Sequence, residues 1–66
     1  MSPNEMLYTK CMGRLEGALE ASDNDRIKRS DHAADVSVVT NLLMYYTLSD
    51  KQKARIKHVL KRTVNH

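Results

Sequence analysis

The residues able to do chemistry are few and scattered. His32 stands between Asp31 and Asp35, an arrangement that can place a carboxylate behind an imidazole base. A working base also needs a nucleophile or a substrate-polarising group, and neither accompanies it. At the start of a helix these residues read better as local capping groups around a solvated histidine. Cys11 is the single cysteine. No histidine or acid lies at a helical spacing that would draw off its proton, so it reads as a small core residue and not a nucleophile. His58 and His66 lack a second ligand at metal spacing. The chain carries no P-loop, no GxSxG elbow, no HExxH pair and no Gly-rich fingerprint. The expectation is a non-enzymatic protein without catalytic residues, metal or cofactor.

Two other groups are suited to recognition. Lys51, Arg55, His58 and Arg62 recur at spacings of four, three and four. On a helix they form one ridge about 16 Å long, flanked by Lys53, Lys57 and Lys61. Residues 51–66 hold six bases and no acid, a balance of +6, whereas residues 1–50 hold five bases against eight acids, a balance of −3. An isolated basic end calls for an anionic partner or a negative surface on a neighbour. The second group is Tyr45 and Tyr46. Adjacent on a helix, they point about 100° apart. One can serve the core while the other anchors a partner, a role in which tyrosine is enriched.

Three segments must position these groups. Ser2-Pro3-Asn4-Glu5 is a helix start, with Ser2 as cap, Pro3 at the first position and Glu5 completing a capping box. From there to about Ala21, Leu7, Tyr8, Cys11, Met12, Leu15, Ala18 and Leu19 form one apolar stripe. Gly13 and Gly17 lie away from it. In a soluble helix this GxxxG is incidental, or a place where another backbone comes close, at about 1 kcal/mol per glycine relative to alanine. Residues 22–31 are polar and charged, apart from Ile27, and are expected to form a loop or flexible link.

The most apolar run is VSVVTNLLMYY, Val36 to Tyr46. Its β-branched residues suit a strand, but no second strand is evident to pair with it. As a helix, Val36, Val39, Leu43 and Tyr46 share a face that Ala34, Val38, Leu42 and Tyr45 extend. The resulting arc is about 200° wide, twice that of an ordinary surface helix. Such a helix is either sandwiched by the other two or meets its own copy. Asp31 is expected to cap it, with Asp35 in its first turn. Ser49-Asp50-Lys51-Gln52 is a second capping box, opening a last helix whose apolar stripe is Ile56, Val59 and Leu60.

These readings predict an all-α chain, one small domain with helices at about 3–21, 32–47 and 50–63, the last two forming an antiparallel hairpin. A domain of 66 residues buries only about 60% of its unfolded surface, and one cysteine excludes an internal disulfide. Association into a homodimer is the expected support. The N-terminus shows no secretory signal and no run reaches the length of a membrane span, so a cytoplasmic location is expected. The expected function is that of a regulator or inhibitor that binds a target protein, such as a transcription regulator or another host factor. Tyr45, Tyr46, Arg55, His58 and Arg62 are its contact residues, facing an acidic surface. The alternative is a helix-turn-helix-like nucleic-acid binder using Lys51, Arg55, His58 and Arg62 on phosphates. That turn lacks a glycine, and the ridge offers little for base reading.

Overall fold

The computed structural model describes residues 2–65; His66, and the expectation about its ligands, lies outside them. Helix α1 spans Pro3–Ala21, α2 Ala33–Tyr45 and α3 Asp50–Lys61. The Ser2 hydroxyl accepts from the Glu5 amide at 3.2 Å, one half of the expected capping box. At Ser49 both halves form, each bond linking it to Gln52. The β-branched run of α2 is helical, and the Thr40 hydroxyl donates back to the Val36 carbonyl at 2.7 Å. The helix ends at Tyr45, shorter than the expected Thr47, because Tyr46 is already extended.

Side-chain bonds between helices define their directions. Tyr46, after α2, meets Ser2, before α1, hydroxyl to hydroxyl at 3.3 Å. Arg14, further along α1, meets Asp35 in the first turn of α2. These two helices are therefore antiparallel. Arg55 reaches Glu16 and Arg62 reaches Asp25, so α3 runs in the sense of α1. The expected antiparallel pairing of α2 and α3 follows. Leu15, Val39, Ile56 and Val59 are fully buried where the three helices meet. Burial of one such side chain contributes about 1.5–3 kcal/mol.

The connector departs from expectation. It is not a free polar link. The Asn24 side chain accepts from the Arg26 amide at 3.2 Å, closing a turn in which Asp25 takes φ 58°. Asp is among the few non-glycine residues that tolerate this conformation. The Ser22 hydroxyl donates to the Arg26 carbonyl. Ile27 is then buried in the core. Strand β1 (Ile27–Lys28) pairs in parallel with β2 (Thr63–Val64), an addition to the all-helical expectation. A strand of two residues carries no alternation by which a sequence could announce it. A 3₁₀ turn at Arg29–His32 leads into α2, so His32 is the boundary residue and Asp31 is not its cap.

The breadth of the apolar arc on α2 is largely absorbed within the chain. Val36, Val39 and Leu42 are buried, and Val38, Leu43 and Tyr46 pack against the core. What remains outside is Ala34, Met44 and Tyr45. At Gly13 and Gly17 an added Cβ would meet no described atom beyond its own helix within 4 Å, so no other described backbone exploits the GxxxG face.

Candidate interaction surfaces

The side of α3 that faces α1 is held by ion pairs. Arg55 donates from Nε to Glu16 at 3.3 Å and from Nη2 to the other oxygen of that carboxylate. Its guanidinium also lies 5.6 Å from the centre of the Tyr8 ring. The Glu16 carboxylate pushes the Arg55 pKa further up. Arg62 binds the Asp25 carboxylate at 2.6 Å and donates to the Asp25 carbonyl at 3.2 Å. His58 Nε2 lies 3.3 Å from Arg62 Nη1. The sequence-predicted ridge thus exists, but two of its members are engaged with α1 and the connector. Among the described residues Lys51, Lys53, Lys57 and Lys61 form no ion pair. The partners Glu16 and Asp25 lie 39 and 37 positions away, so no local spacing signals them.

Cys11 lies in the core, and burial pushes its thiol up. Asp35 adds to the rise, while the Arg14 guanidinium, 3.7 Å from Sγ, works against it. A thiol raised in this way stays protonated at neutral pH and is a poor nucleophile. Arg14 grips Asp35 with two bonds, of 3.0 and 2.7 Å, and holds its carboxyl below the ordinary value. The hydrogen bonds of the Asp35 carboxylate go to Arg14, and among the described residues none joins it to His32. The described residues contain no cluster of three or more potential metal ligands. An open cleft of about 420 Å³ between the 3₁₀ turn and α2 is lined by Arg29, Ser37, Thr40 and Asn65 among others, without histidine, cysteine or carboxylate.

The end of the molecule where α1 begins and α2 ends has a different character. Tyr45 is 80% exposed, whereas Tyr46 packs against the core. Tyr45, Leu7, Val38 and Leu42 line a groove of about 270 Å³. Met6 and Leu7, 58% and 41% exposed, continue it onto an apolar shelf that includes Pro3 and Lys10. The sequence points to the two tyrosines but places Leu7 in the buried stripe and does not single out Met6. Met6 lies on the side of α1 opposite buried Leu15, and Leu7 lies at the rim of the groove beside Leu42 and Tyr45. Among the described residues no helix is long and apolar enough to cross a membrane. Comparison with known protein families, with curated proteins and with solved structures found no match.

Proposed function

We propose that this protein is a non-enzymatic regulator that docks on another protein through the apolar groove between α1 and α2. The observation that carries the reading is Tyr45, a large aromatic side chain left in solvent that shares a groove with Leu7, Val38 and Leu42. Contiguous exposed apolar surface marks interaction sites, and an exposed tyrosine supplies large contact area with little conformational entropy to lose. Tyr45 is the anchor, and Tyr46 braces the groove from below. The basic face of α3, with His58, Arg55 and Arg62 at one side and the lysines at the other, steers an acidic target into register. A homodimer would present two such grooves and stabilise a small core. Affinity capture from a lysate, followed by calorimetry with the captured protein, tests this. One protein retained by the native chain and lost with folded Tyr45→Ala supports the reading; equal retention by Tyr45→Ala and Leu7→Ala overturns it.

The lysines favour a second reading, binding of nucleic acid along α3. With Arg55 and Arg62 engaged inside the chain, Lys51, Lys57 and Lys61 are the exposed charges for phosphates. Duplex binding that falls steeply with salt, and is lost on replacing these lysines by glutamate, is the outcome this reading requires. No retention of duplex at low salt rejects it.

A further inference from the structure

The outward face of α1 bears two opposite charges in a symmetric placement. Met6, Lys10, Gly13, Gly17 and Glu20 follow one another at spacings of four, three, four and three. At 3.6 residues per turn they share an arc about 80° wide. All five are exposed, and neither Lys10 nor Glu20 forms an ion pair among the described residues. Lys10 and Glu20 each lie five residues from Leu15, one on either side. Gly13 and Gly17 lie two residues from it, again one on either side.

A two-fold axis crossing α1 at the level of Leu15 would set each lysine opposite the glutamate of the other copy. We propose that a second copy of this chain covers this face, its α1 antiparallel to the first, with Lys10 of each chain paired to Glu20 of the other. The proposal rests on the homodimer reading above and names its seam. The charge register selects the occupant. A parallel arrangement would oppose lysine to lysine and glutamate to glutamate, and a foreign helix would require no symmetry about Leu15. The four–three spacing is that of a seam between helices crossing at a shallow angle. Gly13 and Gly17 fall at the crossing, where missing side chains let the axes approach closer than the usual 8–10 Å or so. Met6 lies beyond the charges and extends the contact with apolar surface. The groove beside Tyr45 is on the adjoining side and remains open for a target.

Sedimentation equilibrium of the full chain, native and substituted, tests the seam. The native protein is expected to dimerise at micromolar to submillimolar concentration. Lys10→Glu alone and Glu20→Lys alone should each weaken the dimer by about tenfold or more, since each sets like charges together twice. The double exchange Lys10→Glu with Glu20→Lys should restore it. Both side chains are exposed and form no ion pair among the described residues, so circular dichroism should show each variant folded. Gly13→Leu with Gly17→Leu offers an independent arm: helicity should rise, because leucine is the better helix former and a Cβ at either site meets no described atom beyond its own helix, while the dimer is lost. A dimer indifferent to the single charge changes, or to the leucines, overturns the seam and leaves the homodimer reading standing on another face. A double exchange as weak as the singles overturns the Lys10–Glu20 pairing. A native chain that stays monomeric at submillimolar concentration overturns both seam and homodimer, while the Tyr45 capture experiment still decides target binding.

Discussion

At one end of the molecule the α1–α2 connector and the last turn of α3 are tied together by polar bonds. Ser22, Asn24, Asp25 and Arg62 close on one another, and the parallel β1–β2 pair adds backbone bonds around buried Ile27. At the other end α1 begins and α2 stops; Leu7, Val38, Leu42 and Tyr45 line the groove between them, and Met6 is exposed on the adjoining side of α1. One end has spent its polar groups on itself. The other has kept apolar surface that no described element covers. The difference sets up a contrast: substitutions at the tied end and in the middle should lower stability, most of all in the middle, and those at the open end should leave the chain folded while weakening the proposed docking.

The largest effect is expected between the two ends. Leu15→Ala or Ile56→Ala removes a fully buried side chain and should cost about 2–5 kcal/mol. That is a large share of the few kcal/mol expected for a domain of this size. Urea unfolding should show either variant largely unstructured at 25 °C; a loss below about 1 kcal/mol would mean the core is not closed where the three helices meet. Tyr45→Ala sharpens the contrast. Its stability should stay within about 0.5 kcal/mol of the native chain. Affinity for a captured target should fall by about 2 kcal/mol, the mark of an anchor residue. Loss of stability without loss of binding would reverse the assignment of that end.

At the tied end, Arg62→Ala should cost about 1 kcal/mol, since it removes a surface ion pair and a hydrogen bond to the Asp25 carbonyl. Faster amide exchange at Ile27, whose N–H bonds to the Arg62 carbonyl at 3.3 Å, should accompany it. Unchanged exchange would show that β1 holds the connector without the arginine. Tyr8 gives a smaller effect of opposite sign. Its ring is buried, and its hydroxyl has no partner among the described residues. Tyr8→Phe should therefore be neutral or raise stability by up to about 1 kcal/mol, because an unsatisfied buried hydroxyl is costly. A drop in melting temperature would reveal a bond to that oxygen.

The smallest effect is in pH. Arg14 holds the Asp35 carboxyl below its ordinary value, so the folded chain binds that proton more weakly than the unfolded one. The contribution of the pair is complete above the unfolded carboxylate value, about 3.9, and is lost as pH falls through the lowered folded value. Arg14→Met should flatten this acid limb in denaturation curves between about pH 6 and pH 2. An acid limb as steep as that of the native chain would assign it to other carboxylates.

Local signals carried the helices well. Ser2-Pro3 and the Ser49–Gln52 box mark helix starts that form, because a cap is a contact between residues three apart. The apolar stripe of α1 is legible for the same reason, at i to i+4. The connector was not legible as ordered structure. Its single apolar residue, Ile27, gives no period, and its bonds to Arg62 span more than thirty positions. The site was half legible. Tyr45-Tyr46 stands out as a pair, but their split between solvent and core depends on α2 ending at Tyr45 and on Ser2 meeting Tyr46. The ridge of Lys51, Arg55, His58 and Arg62 reads as uniformly free charge until Glu16 and Asp25 are brought to it.

By itself, the sequence determined three helices, a core of Leu15, Val39, Ile56 and Val59, a buried Cys11, and the concentration of positive charge in the last helix. All of these depend on interactions within a turn or two, or on composition. Tertiary structure decided which charges are spent, which tyrosine is offered, and that Met6 and Leu7 remain in solvent. Those outcomes depend on which helix faces meet and where each helix ends, set by packing across the whole chain.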